Sequence, residues 1–197
     1  MSLKGQKTTT TSLNWDDFKS LISKLERDQE YKFCLLITIG VFTGLRISDI
    51  LPLKFCQFVD NAEILTITEQ KTKKYRRIKI NTDLRGIVSR VREKMGVMES
   101  DTPIFLNRFG TKPIEKSYVN VKLKQIFREY DIHLEGNISS HLFRKTLGNR
   151  VLKLNNYSNE SVILLMELFN HSSPAITKKY LGIREKEIHD VYDSVRL

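Results

Sequence analysis

The chain is poor in cysteine. Its 197 residues hold two, Cys34 and Cys56. Two thiols at that separation supply neither the paired spacing of a zinc site nor a disulfide framework, which fits a reducing compartment. Cys34 lies in the apolar run KFCLLITIGVF and reads as a core thiol. Long apolar runs are lacking too. None reaches the roughly 18 residues of a membrane span, and the start MSLKGQKTTTTS has no apolar signal-peptide core. There is no internal repeat, and no low-complexity tract beyond the threonines at 8–11. Acidic residues run short: 23 Asp+Glu stand against 33 Lys+Arg, a formal net charge of +10. That imbalance calls for an anionic partner, of which nucleic acid is the commonest.

What is present suffices for one domain. Hydrophobic residues make up 40% of the chain, enough for a core at this length. Residues 1–11 read as a flexible arm, a linker or an expression scar. From residue 12 the pattern is helical. Asn14 is placed as an N-cap with Asp17 at the third helical position. Leu13, Phe18, Leu21, Ile22 and Leu25 recur at helical spacing. A second, buried helix ends near Gly44, and a short one begins at Arg46 and stops around Pro52. Between residues 55 and 80 the period changes to two, with alternation through Ile64, Thr66 and Thr68 and later Ile78 and Ile80. Helices return over NTDLRGIVSRVREKM and over EKSYVNVKLKQIFREYDI, the latter with Tyr118, Val121, Ile126 and Tyr130 as core contacts. SSHLFRKTLGNRVLKL is a helix capped by Ser139 or Ser140, and NESVILLMELFN, PAITKKYLGI and REKEIHDVYDSVRL follow. The expected fold class is α+β and helix-rich: a single domain of helices with a small three-stranded antiparallel sheet.

Four segments hold residues suited to phosphodiester chemistry. A tyrosine that attacks phosphorus needs help, because a phenol has a pKa near 10. The transition state gains negative charge, and arginine forks suit its oxygens. The departing oxygen needs a proton from a positioned acid such as Lys or His. In FTGLRISDI, Arg46 follows an apolar helix and is either paired with Asp49 or aimed into a site. In SHLFRKTL, His141 and Arg144 are three apart at a helix start, which puts both on one face near N–H groups that attract anions. A capped helix with a solvated arginine is the plainer alternative. KTKKYRRIK, residues 71–79, has six basic residues in nine. They either protect a strand edge or lie against phosphates. In FNHSSPAITKKY, Asn170 suits a left-handed helix stop that presents His171, and Tyr180 follows nine residues later.

Together TGLRISDI, QKTKKYRRIKI, HLFRK and FNHSSPAITKKY stand in the order of one known pattern. Over residues 12–197 the chain resembles the catalytic domain of the tyrosine recombinase, or phage integrase, family. On that resemblance six active-site positions fall on Arg46, Lys71, His141, Arg144, His171 and Tyr180. Lys71 is preferred to Lys73 and Lys74 because it lies 25 residues after Arg46 and the strand RIKI follows at the expected distance. Lys73, Lys74, Arg76 and Lys145 are expected to hold DNA. The family's fold, that of DNA-breaking-rejoining enzymes, is implied with them. Two positions depart from the pattern: Asn170 stands where the family usually has Gly, and Lys145 where it often has His.

The resemblance implies a site-specific recombinase or integrase. Tyr180 would form a 3′-phosphotyrosyl bond and release a 5′ hydroxyl. Arg46 and Arg144 would hold the non-bridging oxygens, and Lys71 would protonate the leaving oxygen. His141 would be the acid/base near Tyr180, and His171 would hydrogen-bond the phosphate. No metal, nucleotide or other cofactor is expected. The implied partner is double-stranded DNA, bound as a homo-tetramer that is monomeric when free, in the bacterial cytoplasm at the nucleoid and away from membranes. The C-terminal segment, about residues 184–197 with the stripe Ile188, Val191, Tyr192 and Val195, would dock on a neighbouring protomer or fold back on its own core. Full-length relatives add an N-terminal DNA-clamping domain, on which site recognition and efficient recombination are expected to depend. Two other functions stay open: a type IB topoisomerase-like relaxase of supercoils, and a catalytically silent DNA-binding regulator derived from a recombinase. The six filled positions speak against the silent one.

Overall fold

The first helix begins where its capping chemistry places it. In a computed structural model of the protein, which describes residues 11–59, 62–183 and 191–195, the Asn14 side chain accepts the Asp17 backbone N–H at 2.8 Å. This satisfies one of the free donors of a helix start. The elements in chain order are α1 (Trp15–Arg27), α2 (Tyr31–Thr43), α3 (Ile47–Ile50), β1 (Ile64–Thr68), β2 (Tyr75–Lys79), α4 (Thr82–Lys94), α5 (Lys116–Glu129), α6 (His141–Leu154), α7 (Asn159–Phe169) and α8 (Pro174–Leu181). No described helix is long and apolar enough to cross a membrane.

α2 is the centre. It is apolar all round, and nearly all of it is buried, as a helix without a polar face must be. Cys34 within it is fully buried, and burial pushes its thiol up to about 12, so it is the core group that the sequence suggested. α1, α4 and α6 pack around α2. α6 comes so close that a β-carbon at Gly40 would overlap the Phe143 ring. α2 then stops at Gly44, whose φ of 61° lies in the left-handed region that glycine enters at no steric cost. This stop sends the chain directly into Arg46 and α3. α6, α7 and α8 form a second, smaller cluster around Leu152, Val162, Leu165, Phe169 and Leu181.

The helix-rich α+β class stands, with corrections of detail. Among the described residues the sheet has two strands, β1 and β2, paired antiparallel with Leu65 opposite Ile78. The expected third strand is replaced by a 3₁₀ turn over Phe55–Gln57 that buries both Phe55 and Phe58. Residues three apart share one side in such a turn, whereas a strand would point them to opposite faces. In β1 the alternation is real but shifted by one: Leu65 is buried, and Ile64, Thr66 and Thr68 face out. Both phases carry isoleucine or leucine, so the pattern alone does not choose between them. On α5 the buried face is Val119, Leu123, Ile126 and Phe127, while Tyr118 and Val121 are exposed.

Helix boundaries follow local chemistry more closely. α7 ends at Asn170, left-handed at φ 53° and ψ 51°. Ser173 caps α8, its hydroxyl accepting the Ile176 N–H at 3.3 Å, with Pro174 in the first turn. Ser140 holds the N-cap position of α6, but its hydroxyl makes no capping bond. Its own N–H goes to the Asn120 side-chain oxygen at 3.0 Å. Near the C-terminus, residues 191–194 form one helical turn with Val191, Tyr192 and Val195 exposed. Ile188 of the expected stripe and residues 1–10 of the expected arm lie outside the described residues.

Gly40→Val should lower stability by about 2 kcal/mol, the usual range for overpacking a tight contact. Urea denaturation checks it: the midpoint should fall at an unchanged slope. An unaltered midpoint would show that α2 and α6 can separate at no cost.

Candidate active site

The N-terminal half of α6 meets the C-terminal ends of α2 and α7, and Arg144 joins all three. It is 3% exposed. One terminal nitrogen donates to the Gly44 carbonyl and the other to the Phe169 carbonyl, each at 2.8 Å. Gly44 is the left-handed stop of α2, and Phe169 is the last residue of α7. Helix C-termini carry partial negative charge, so dipoles hold this cation. The guanidinium also lies over the Phe169 ring, 4.7 Å from its centroid. Burial lowers its pKa, and Arg46 and Arg76 add to that, while Tyr180 and Glu69 oppose it. Arginine remains charged through such a shift.

Tyr180 sits beside it near the end of α8. Its hydroxyl donates to the His141 carbonyl at 3.3 Å. Its ring stands edge-on to Phe169 at 5.6 Å and to His171 at 5.2 Å, and the Lys145 ammonium lies 5.4 Å over it. Burial raises the pKa of the phenol; the charge and hydrogen bond of Arg144, and the charge of Arg46, pull it back. The resting hydroxyl is therefore protonated and set among the cations that would stabilise its anion.

His171 owes its place to Asn170. The left-handed turn aims the chain back so that the His171 N–H bonds the Met166 carbonyl at 2.9 Å. His171 Nδ1 and the fully buried Thr177 hydroxyl are hydrogen-bonded at 3.0 Å. His141, the first residue of α6, is open to solvent on one side. Burial depresses the pKa of both imidazoles. Nearby cations add to it, Lys116, Arg144, Arg46 and Lys145 at His141 and Arg144 and Arg46 at His171. Both rings are neutral at pH 7.

The hairpin supplies the remaining charged side chains. Of the two settings open to Arg46, pairing with Asp49 is not observed: Arg46 bonds Glu69, at 2.8 Å. Asp49 instead accepts the Gln70 N–H at 2.8 Å. Glu69 is fully buried and also takes Arg76, at 3.1 Å. Lys71 stands exposed on the turn and has neither hydrogen bond nor ion pair among the described residues. Lys73 is exposed in a left-handed conformation, and Lys74 donates to the Asn170 side-chain oxygen at 2.6 Å. Lys145 is 8% exposed and lies against Tyr180, away from an open surface.

Arg46, His141, Arg144, His171 and Tyr180 thus come together, whereas Lys71 is exposed on the hairpin turn and makes no hydrogen bond or ion pair with them among the described residues. Sequence reasoning missed Glu69, Phe169 and Thr177. Each acts on another side chain from a position that reads as ordinary strand or helix, so nothing in its own neighbourhood announces it. Among the described residues no group of His, Cys, Asp and Glu is placed to hold a metal ion.

Cations gathered around a half-buried tyrosine, on this helical frame, point to the tyrosine recombinases. The chain belongs to the phage integrase family, whose sequence profile matches residues 11–187. It is 34% identical over 182 residues to the probable integrase/recombinase YoeC of Bacillus subtilis, covering 87% of this chain and 93% of that protein. It is 26% identical over 148 residues to the tyrosine recombinase XerH of Campylobacter jejuni, covering 74% of this chain and 40% of that one. In fold it is similar to a crystal structure of the XerH site-specific recombinase bound to difH substrate in a pre-cleavage complex, with TM-score 0.64 and 21% identity over 94% of this chain and 54% of that one. The chain therefore spans about half, or less, of the XerH proteins it matches and nearly all of YoeC.

The histidines make stability depend on pH. In the unfolded chain both return to about 6.5; in the folded chain both titrate lower. As pH falls from about 7 toward 5, the unfolded chain takes up protons that the folded one resists, so stability should fall. Urea denaturation at several pH values measures this. His141→Asn combined with His171→Asn should flatten the slope; an undiminished slope would assign it to other groups.

Proposed function

We propose that the protein is a site-specific DNA recombinase or integrase that cuts and rejoins strands through a 3′-phosphotyrosyl bond at Tyr180. The observation that carries this is the Tyr180 hydroxyl beside the buried, carbonyl-bound guanidinium of Arg144. Arg144 and Arg46 would take the non-bridging oxygens of the scissile phosphate and stabilise the charge gained in the transition state. A neutral His141 is able to accept the phenolic proton, and its own main-chain carbonyl holds that hydroxyl at rest. His171, braced by Thr177, would bond a phosphate oxygen. Lys71 would protonate the departing 5′ oxygen from the hairpin turn. The phosphotyrosyl bond conserves the energy of the broken one, so religation to a partner strand needs no metal or nucleotide.

Double-stranded DNA would lie across the hairpin, with Lys73, Lys74 and Arg76 along its phosphates. Lys145 bears on the Tyr180 ring instead. It would act as a homo-tetramer on DNA, and the bacterial relatives named above support a place in the bacterial cytoplasm. The exposed Val191, Tyr192 and Val195 would be part of a C-terminal segment that docks on a neighbouring protomer.

A covalent-capture experiment tests the reading. The protein is incubated with nicked duplexes of random core sequence, so that a short 5′-hydroxyl fragment escapes and the adduct persists in denaturant. Adducts should form with the wild type and be abolished by Tyr180→Phe, which should still bind DNA. Arg144→Ala should slow adduct formation about 100-fold or more. Salt-sensitive DNA binding without any adduct would make the chain a DNA-binding protein that does not cut.

A further inference from the structure

Glu69 is the buried group that the proposed chemistry leaves unused. Glutamate is almost never fully buried unless paired, and Glu69 has no exposed surface. It stands just past the end of β1, where the hairpin turns. One carboxylate oxygen accepts Arg46 at 2.8 Å and the Thr72 hydroxyl at 2.5 Å; the other accepts Arg76 at 3.1 Å. Its backbone closes the same turn: its N–H donates to the Lys74 carbonyl, and its carbonyl accepts the Lys73 N–H, both at 2.9 Å. Lys71 lies between two pinned neighbours, Gln70 held by Asp49 and Thr72 held by Glu69.

Building on the proposed strand-cleavage function, we propose that Glu69 is a positioning residue for cleavage, one that orients Arg46 toward the phosphate and fixes the turn that carries Lys71. Two arginines share this single carboxylate, so a positive charge remains for a phosphate. A guanidinium has five N–H donors, and Glu69 engages one nitrogen of Arg46, leaving the rest of the fork for a ligand. Fixed donors cost nothing to reorganise when charge develops. Burial pushes the Glu69 carboxyl upward, but its bonds to Thr72 and Arg76, and the charge and bond of Arg46, hold it below the ordinary glutamate range. It is therefore an anion when DNA arrives.

Positioning predicts opposite effects on binding and cleavage. Glu69→Gln keeps the shape and removes the charge, which releases both arginines. DNA should then bind at least as tightly as to the wild type, with a salt slope steeper by about one, while adduct formation at saturating DNA falls at least tenfold. Glu69→Asp keeps the charge and shortens the reach, so its salt slope should match the wild type while its cleavage is slowed. The probe is the nicked duplex enriched by wild-type capture, with thermal unfolding measured alongside. Wild-type cleavage rates in both variants would overturn the proposal. So would joint loss of binding, cleavage and unfolding temperature, which would make Glu69 a structural ion pair. A wild type that forms no adduct would remove the cleavage function itself and this role with it.

Discussion

Arg144 spans two helix ends. Its guanidinium bonds the carbonyls of Gly44 and Phe169, and through them it holds the ends of α2 and α7 against the start of α6. A buried cation is costly unless it is compensated. A carboxylate would compensate it and also cancel its field. Two helix C-termini supply partial negative charge without a proton-binding group. The cation is thereby stabilised yet remains able to attract an anion. The left-handed residues Gly44 and Asn170 make this possible, because each ends its helix abruptly and leaves a carbonyl directed at one point.

Around that cation the charge balance is graded. Arg46 and Arg76 are near enough to depress Arg144, and Glu69 is the one anion bonded to both. The site is therefore net positive before any ligand enters. Burial lowers His141 and His171, the same field adds to that, and at Tyr180 the field opposes the effect of burial. The His171 ring stands 5.2 Å from the Tyr180 ring, and the phenol bonds the main-chain carbonyl of His141. The hairpin adds a layer of charge whose turn is pinned by Glu69 and Asp49.

Local chemistry was the most legible part of the sequence. Asn14, Gly44, Asn170 and Pro174 mark helix ends through the backbone conformations or hydrogen bonds of those residues alone, and the structure places them accordingly. Patterns that hold two solutions were less legible. Leu65 with Ile67 and Ile64 with Thr66 are both alternating sets, and only packing against the core selects the first. Phe55 and Phe58 suit an extended segment until their common burial demands a turn. On α5 the aromatic Tyr118 drew the expected face one step round, yet its ring only borders Phe33 at 6.2 Å.

For the candidate site, four short segments in the order of a known family suggested the cationic and tyrosine positions, and in the fold Arg46, Arg144, His171 and Tyr180 lie near one another. Which groups they touch was not in that pattern. Arg46 has Asp49 three residues away and Glu69 twenty-three away, and it bonds the distant one. Lys145 looks like a surface cation in sequence and lies under Tyr180 in the fold. The sequence alone determined the helical frame, its stops and its excess of positive charge. Only the tertiary structure decided which carboxylate faces which arginine, and that two helix ends hold Arg144, because those contacts join residues separated along the chain and depend on how the core brings helix ends together.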